Sequence, residues 1–192
     1  MDLAALVQKN RSYRRFDEQY LVDRSILHDL IKLAQYCPTG NNMQPLKFWL
    51  SNTKPMNEAI FQHLGWAASL KEWKGPNVGE RPVAYIIILG DTRIQVNFGV
   101  DFGIAAQTIL LGAVEKDLGG CMIASIHRDE LAEALNIPDH FRILLVVALG
   151  KPVEGVVTEP IGADGSVRYY RDSNLVHHVP KRSLDELIVH DV

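Results

Sequence analysis

Residues 83–89, with the sequence VAYIIIL, are almost entirely apolar and rich in β-branched side chains. A short run of this kind, without polar alternation, predicts a β-strand that is covered on both faces. Residues 141–149, with the sequence FRILLVVAL, predict a second covered strand. Between them, the alanine-rich residues 100–118 predict a long apolar helix, and residues 119–124 predict a short third strand. Strands that alternate with helices in this way predict a layered sheet with helices on its faces.

The flanking sequence predicts further helices and one more strand around this core. Asp2 can cap a helix that ends near Lys9, and Asp23 can cap a longer helix that stops at residues 37–40. The other predicted elements are a strand at 46–50, helices at 55–64 and 128–135, an irregular excursion at 65–82, a turn at 162–165 inside a polar excursion, and a short helix or arm at 183–188. The sequence contains no internal repeat and no interdomain linker, and therefore predicts a single domain over residues 1–192.

The composition predicts a soluble cytoplasmic protein. The chain has 192 residues, 47% of them hydrophobic, and a formal net charge of −3. A weakly acidic chain does not capture nucleic acid through charge alone. No apolar run approaches the length of about 20 residues that spans a bilayer, so we expect neither nucleic acid nor a membrane as a partner. The two cysteines, Cys37 and Cys121, lie far apart in the sequence, which fits a reducing compartment.

Several common catalytic motifs are missing from the sequence. There is no phosphate-binding loop of the form G-x-x-x-x-G-K-[ST], no G-x-G-x-x-G after a strand, and no H-E-x-x-H or G-x-S-x-G. The adjacent His177 and His178 would point to opposite sides of an extended segment, and no third metal ligand is obvious nearby. We therefore expect no metal site and interpret this pair as ordinary surface or interface histidines.

A basic cluster near the N-terminus is a candidate anion site. Residues 10–16, with the sequence NRSYRRF, place Arg11, Ser12 and Arg14 where all three could face one anion if the segment leaves the helix in a turn. Arginine forks and hydroxyl groups bind phosphate through charge-assisted hydrogen bonds. A second compact basic site follows at residues 180–182, PKR. The alternative is that these side chains form surface ion pairs, with Asp17, Glu18, Asp23 or Asp185 as partners, which contribute little to stability.

A second segment, residues 37–45, has the sequence CPTGNNMQP. It ends one predicted helix and precedes one predicted strand, and it brings a glycine and several amide side chains into a single turn. These groups supply donors and acceptors suited to a heteroaromatic ring or a sugar-like chain. The alternative is a plain helix stop with an Asx turn.

Together these segments resemble the FMN-dependent nitroreductase family. The motifs RSYR and PTGNNMQP stand in the order and at the spacing that the family shows. The resemblance continues in residues 101–123, DFGIAAQTILLGAVEKDLGGCMI, and 137–152, IPDHFRILLVVALGKP. It closes with residues 177–188, HHVPKRSLDELI, and so covers nearly the whole chain apart from residues 55–80.

The resemblance implies the residues that would bind FMN. The expected contacts to its phosphate and ribityl end are Arg11, Ser12, Arg14, Lys181 and Arg182. The expected contacts to the flavin, often from the partner subunit, are Pro38, Thr39, Asn42 and, as a weaker candidate, Gln44. The loop that follows the core helix would pass beside the isoalloxazine at Met122, Ile123, Ala124 and Ser125. Candidates for the family's mid-chain contacts are Lys71, Lys74 and Asn77, while Arg15 is expected to face solvent or Asp17.

The resemblance also implies a fold and an assembly. Members of the family have an α+β, three-layer fold with a mixed central sheet flanked by helices, and they form intertwined homodimers with two flavin sites at the interface. The helix predicted at 100–118 would then lie in the dimer core; the alternative is a helix buried within its own subunit. This chain departs from the family pattern at Asn10, where many relatives have arginine, and at Leu46, where they have tryptophan.

The implied activity is that of an FMN-dependent oxidoreductase. It would take hydride from NADH or NADPH and reduce nitroaromatic, quinone or related acceptors in a ping-pong reaction through flavin N5. Such a reaction needs no protein nucleophile, so no catalytic residue is assigned. Two alternatives stay open: a noncatalytic FMN-binding protein for storage or sensing, and a different flavin reaction on the same fold, such as dehalogenation or flavin fragmentation.

Overall fold

The computed structural model describes residues 2–191 and has an α+β fold built around one four-stranded sheet. Its strands are β1 (Leu46–Ser51), β2 (Ala84–Asp91), β3 (Gly119–Ile123) and β4 (Phe141–Gly150), in the spatial order β1-β2-β4-β3. Every residue of β2 is buried, which confirms the covered strand predicted from its sequence. All neighbouring strands of this sheet pair in the antiparallel direction.

Helices cover both faces of the sheet and complete three layers. One face packs against α2 (Arg24–Gln35) and α4 (Asp101–Glu115), and its core includes Ile86 and Ile88 of β2. The other face packs against α3 (Lys54–Phe61) and α5 (Arg128–Ala134), and its core includes Tyr85, Ile87 and Leu89 of the same strand. The alternation follows from the two-residue period of a strand, because successive side chains point to opposite faces.

The remaining helices begin largely where the sequence predicts. The Asp2 carboxylate accepts the backbone N–H of Ala5 at 2.8 Å and caps α1 (Leu3–Lys9). The Asp23 carboxylate accepts from Ser25 at 2.7 Å and caps α2. Helix α3 is shorter than predicted, and the chain after it turns to a single-residue bridge between Leu64 and Ile126. A capping box at Ser183 starts the short α6 (Leu184–Leu187).

The structure contains a second, smaller sheet where the sequence predicts only a polar excursion. It consists of β5 (Val156–Pro160), β6 (Tyr170–Arg171) and β7 (His177–Lys181), with β7 in the middle. Strands β5 and β7 run parallel and β6 runs antiparallel. In the central sheet, parallel pairing is limited to a single bridge between Ser12 and Gly120, at the edge formed by β3.

No helix within residues 2–191 has both the length and the hydropathy to cross a membrane.

Candidate binding cleft

Two cavities meet beside β3, at the point where the N-terminal segment crosses the edge of the sheet. The first cavity has a volume of about 380 Å³. The second has a volume of about 230 Å³. Both are lined by Arg14, Met122 and Tyr169, so the two cavities adjoin, and together they are called the cleft here.

The first cavity is assembled from both ends of the chain and from the middle of α4. Its lining residues are Val7, Asn10, Arg11, Ser12, Arg14, Gln107, Leu110, Met122, Val156, Tyr169, His177, Val179 and Lys181. The predicted anion-site residues Arg11, Ser12 and Arg14 are thus brought together with Lys181 from β7. No aspartate or glutamate lines this cavity, although the chain as a whole is acidic.

Backbone pairing holds the N-terminal segment at the sheet edge. Ser12 forms the parallel bridge to Gly120, and the Tyr13 N–H donates to the Gly120 carbonyl at 3.0 Å. A Cβ atom on Gly120 would lie 2.2 Å from the Ala148 carbonyl oxygen, so this close approach requires glycine. The pairing fixes the backbone from which the cationic side chains project.

Arg11 and Arg14 face the cleft without an acidic partner. The Arg11 guanidinium donates through Nε to the Asn10 carbonyl at 2.6 Å and through Nη2 to the Val7 carbonyl at 2.8 Å, at the end of α1. Arg14 donates through Nη1 to the Ser12 carbonyl at 3.2 Å, and its guanidinium lies 5.3 Å from the centre of the Tyr169 ring. Within residues 2–191, neither arginine forms an ion pair, and Lys181 forms none. Their charge is therefore available to an anion in the first cavity.

A buried carboxylate holds the N-terminal segment on the side that faces the protein interior. Glu154, whose side chain is 1% exposed, accepts the backbone N–H groups of Arg14 and Arg15 and lies 2.9 Å from the Arg171 guanidinium. Burial lowers the pKa of Arg171, and Glu154 opposes that effect. Nothing in the sequence identifies Glu154 as part of the site, because it is an isolated acidic residue after β4.

The prediction for Arg15 was wrong. Its guanidinium faces neither solvent nor Asp17 but forms a two-point ion pair with the partly buried Glu80. The hydrogen bond with Glu80 raises the pKa of Arg15 and lowers that of the carboxyl. Arg15 therefore ties the segment to the excursion at 65–82 and takes no part in the cleft.

The two histidines of β7 lie on opposite sides, as the sequence predicts. His177 is not a surface residue, so for this residue only the interface part of the prediction stays open. The residue is 2% exposed, lines the first cavity, and its ring centre lies 5.1 Å from that of Tyr169. Burial, together with the charges of Arg14 and Arg171, lowers the pKa of His177 to about 4. His178 pairs instead with Glu159 at 2.9 Å and Asp172 at 3.4 Å, which raises its pKa.

The second cavity lies between the end of β3 and the excursion at 65–82. Its lining residues are Arg14, Gly65, Trp66, Ala67, Ala68, Met122, Ile123, Ala124, Ser125 and Tyr169. The predicted residues Ile123 and Ala124, together with the neighbouring Met122 and Ser125, are thus brought to one wall. The Gly65 N–H donates to the Ser125 carbonyl at 2.8 Å, and a Cβ on Gly65 would lie 2.3 Å from Ser125 Oγ. Close packing of these two residues sets the width of the cavity at this point.

The segment at 37–45 lies outside the cleft within one subunit. Pro38, Thr39, Asn42 and Gln44 line neither cavity. Their turn is held by Thr39 Oγ1, which accepts the Gln44 N–H at 3.1 Å, and by Asp101 at the start of α4, which accepts the Gly40 N–H at 3.1 Å. Their predicted contact with the flavin therefore depends on a partner subunit and stays a prediction.

Four further candidates also lie outside the two cavities. Arg182 forms an exposed ion pair with Glu186 at 3.0 Å, within one turn of chain. Lys71, Lys74 and Asn77 are exposed and line neither cavity. Of the basic pair near the C-terminus, only Lys181 therefore lines the first cavity.

Sequence reasoning missed Tyr169, His177 and Gln107 as cleft residues. Gln107 is an exposed polar residue inside the apolar helix α4, and this irregularity is the one signal that could have identified it. Tyr169 and His177 belong to the small sheet and its approach, for which the sequence gives no periodic pattern. Within residues 2–191, no cluster of three or more potential metal ligands occurs.

The fold and the cleft define an α+β protein with a cationic site at the edge of its sheet. The family model described as the nitroreductase family matches residues 7–151, and the chain belongs to that family. The FMN reductase (NADPH) of Bacillus subtilis (strain 168) is 26% identical over 167 residues, which cover 76% of this chain. The chain spans 64% of the length of that curated relative.

Solved structures support the same fold. The nitroreductase family protein from Streptococcus pneumoniae TIGR4 superposes with a TM-score of 0.71 at 18% identity, over 99% of this chain and 100% of that one. An FMN-dependent nitroreductase from Clostridium difficile R20291 gives a TM-score of 0.69 at 20% identity, over 98% of each chain. These similarities confirm the predicted nitroreductase-like, α+β fold.

Proposed function

We propose that this protein is an FMN-dependent oxidoreductase that takes hydride from NADH or NADPH and passes it to a nitroaromatic, quinone or related acceptor. The observation that carries the proposal is the charge of the cleft. Arg11, Arg14 and Lys181 line it, no carboxylate does, and none of the three cations is neutralised by an ion pair within residues 2–191. An acidic chain that gathers unpaired cations around one cavity has a site for an anion.

The shape and donors of the cleft fit FMN. The first cavity falls in the range of about 300–1,000 Å³ typical of ligand pockets, and it offers the Ser12 hydroxyl and two arginines to a phosphate. The second cavity adjoins it and combines the apolar side chains of Met122 and Trp66 with polar groups such as Ser125, so that a flat ring system with hydrogen-bonding edges would fit there. We therefore assign the phosphate end to the first cavity and the isoalloxazine to the second.

In this proposal, each part of the chain has a defined role. FMN, when bound, supplies the capacity to accept and return a hydride. Arg11, Ser12, Arg14 and Lys181 bind the phosphate, and the wall at 122–125 orients the ring. Both nicotinamide and acceptor would use the second cavity in turn, because it is the open space beside Ile123, Ala124 and Ser125 of that wall. A shared space of this kind requires a ping-pong order.

No protein side chain is assigned to the chemical step. The cleft contains no carboxylate, and its one histidine is buried with a lowered pKa. Hydride transfer between nicotinamide and flavin needs no general base. The proposal therefore predicts that substitutions in the cleft change binding and access, and that no single substitution abolishes the reaction in the way that loss of a nucleophile would.

We further propose that the active form is a homodimer. Large apolar side chains are exposed at the start of α4, where Val100 is 72% exposed, and on the chain from the end of α2 onwards, where Tyr36 is 87% exposed and Met43 43%. Their burial against a second copy would remove apolar surface from water. It would also explain why Pro38, Thr39, Asn42 and Gln44 lie outside the cleft of their own subunit. Light scattering of the purified protein tests this proposal, and a monomer would contradict it.

The test of the main proposal is spectroscopic. If the purified protein is colourless, FMN is added to it. Protein with bound flavin should absorb near about 450 nm. Anaerobic addition of NADH or NADPH should bleach this band, and a nitroaromatic or quinone should restore it. Absence of FMN binding would contradict the proposal. Binding without bleaching would favour a protein for flavin storage or sensing, and bleaching without turnover of these acceptors would favour another flavin reaction.

A further inference from the structure

We propose that His177 is a ligand-binding residue of the first cavity and contacts the anionic group of the molecule bound there. The inference rests on the proposed function, because it takes that group to be the phosphate of FMN. His177 belongs to no motif of the sequence, which predicts only an ordinary surface or interface histidine. Its position in the folded chain gives it a more specific role.

The imidazole of His177 lies at the wall of the first cavity. Residues 177–181 form β7, so His177 and His178 project to opposite sides. His178 turns away from the cleft to two carboxylates. His177 is 2% exposed and lines the same cavity as Arg11, Ser12 and Arg14. The strand therefore places this ring at the cationic cavity.

The His177 ring lacks a hydrogen-bond partner. The Nδ1 atom of His177 is buried and has no hydrogen-bond partner, and the ring takes part in no hydrogen bond within residues 2–191. Buried polar side-chain atoms are bonded in the large majority of folded proteins, so an unpaired one needs an explanation. A histidine that only filled the core would be expected to bond a nearby carbonyl or carboxylate. Nδ1 is enclosed, whereas Nε2 is not among the enclosed atoms, so the unpaired ring at the wall of the first cavity points to a bond between Nε2 and the ligand.

Several groups around the imidazole of His177 are charged or titratable. Arg14 from the N-terminal segment, Arg171 from β6 and His178 from β7 are the charged or titratable groups that act on it, and Lys181 lines the same cavity. With burial, the three acting groups keep the imidazole neutral at neutral pH. A neutral imidazole still offers one N–H donor. His177 therefore adds a hydrogen-bond donor to the site without adding a further positive charge to a crowded group of cations.

The experiment compares FMN with riboflavin, which has the same ring and ribityl chain but no phosphate. Flavin-free protein is titrated with each ligand, following the quenching of flavin fluorescence. The variants are His177→Phe, which keeps a flat ring without nitrogen, and His177→Gln, which keeps an N–H donor. The matched control is His178→Phe, on the opposite side of the same strand.

We expect His177→Phe to weaken FMN binding about tenfold, the effect of one hydrogen bond to a charged group, and to leave riboflavin binding unchanged. His177→Gln should recover part of the loss, and His178→Phe should bind both ligands like the wild type. An equal loss for FMN and riboflavin, or no loss for either variant, would overturn the inference. A wild-type protein that binds neither flavin would instead contradict the proposed function itself. If His177→Phe does not fold, His177→Gln is compared with the wild type instead. A smaller loss of FMN binding, without a loss of riboflavin binding, would then support the inference, and no loss would overturn it.

Discussion

The carboxylate of Glu154 lies 2.9 Å from the guanidinium of Arg171, and its other oxygen accepts the backbone N–H groups of Arg14 and Arg15. One buried side chain thus joins the small sheet to the N-terminal segment whose cations line the cleft. The Arg171 guanidinium also lies 4.2 Å from the centre of the Trp73 ring, in the excursion beside the second cavity. The contacts of Glu154, Arg171 and Trp73, which do not line the cleft, therefore join the segments that form its walls.

We predict that Glu154→Gln destabilises the protein by about 3 kcal/mol. Removal of one partner of a buried ion pair leaves the other charge without compensation, at a cost of about 3–5 kcal/mol, and the retained amide offsets part of it. Urea denaturation, followed by circular dichroism, measures the change. The control is Glu186→Gln, which breaks the exposed pair with Arg182 and should cost less than about 1 kcal/mol. Equal effects of the two substitutions would contradict the anchoring role of Glu154.

Arg14→Met should weaken FMN binding at least about tenfold, because it removes a cation that no carboxylate neutralises. Riboflavin binding should change little. The matched control is Arg15→Met, the next residue, which pairs with Glu80 away from the cleft. This control should lower stability and leave the affinity for FMN unchanged. If Arg14→Met bound FMN as tightly as the wild type, Arg14 would have no role at the phosphate.

The two histidines of β7 should affect the pH dependence of stability in opposite directions. His177 has a folded-state pKa of about 4 against an ordinary 6.5, so its contribution is present above pH 6.5 and is lost as the pH falls towards 4. The loss is on the order of 1–3 kcal/mol. His178 has a raised pKa, chiefly through its hydrogen bond with Glu159, so its contribution is present below 6.5 and is lost as the pH rises through its folded-state value.

Denaturation of the wild type and of His177→Gln between pH 4 and 8 checks this prediction. The variant should lose less stability on acidification than the wild type. His178→Gln should instead lose less on the alkaline side of the transition. Identical curves for all three proteins would show that the two rings do not differ in their environment.

Gly65→Ala should narrow the second cavity without affecting the first. A Cβ at this position would lie 2.3 Å from Ser125 Oγ and 3.0 Å from its Cβ, so Ser125 must move. We expect a higher KM for the acceptor and weaker binding of FMN and riboflavin alike, because the isoalloxazine is assigned to this cavity, while the ratio of the two flavin affinities stays within about twofold of the wild type. The double variant Gly65→Ala/Ser125→Gly removes the clash and should restore the KM. A single variant with unchanged KM for several acceptors would show that this wall does not limit access.

Val100→Asp should separate the proposed dimer into subunits. The side chain is 72% exposed at the start of α4, and a charge placed in an apolar interface must be desolvated on association. If residues 38–44 contact the flavin of the partner, the separated subunits should also bind FMN more weakly. Light scattering and flavin titration measure the two effects. A monomeric variant with undiminished FMN affinity would remove the predicted role of Pro38, Thr39, Asn42 and Gln44.

The sequence predicted the parts of the fold that have strong local patterns. Continuous apolar runs identified β2 and β4, and the caps at Asp2 and Asp23 located the starts of two helices. The small sheet gave no such signal, because β6 has only two residues and β5 carries threonine and glutamate. Its strands form through pairing with distant partners, and tertiary context outweighs their local preference.

The same contrast applies to the cleft. Arg11, Ser12 and Arg14 were predictable because they stand within one short motif. His177 and Tyr169 were not, since they reach the cavity only through the pairing of β7 with β5 and β6. Arg15 was assigned wrongly because its partner, Glu80, lies 65 positions away in a stretch without regular structure. The segment at 37–45 can be judged only with a second subunit, because within one subunit it lies away from the cleft.

The bridge between Ser12 and Gly120 has a consequence beyond ligand binding. β3 is the last strand of the central sheet on that side, and the unpaired backbone of an outermost strand can recruit another chain. The N-terminal segment covers this strand where it pairs with Gly120. Loss of residues 1–15 would therefore remove two of the three cations of the first cavity, Arg11 and Arg14, and at the same time uncover a template for self-association. The segment that is proposed to bind a ligand thus also covers an edge strand that could pair with another copy of the chain.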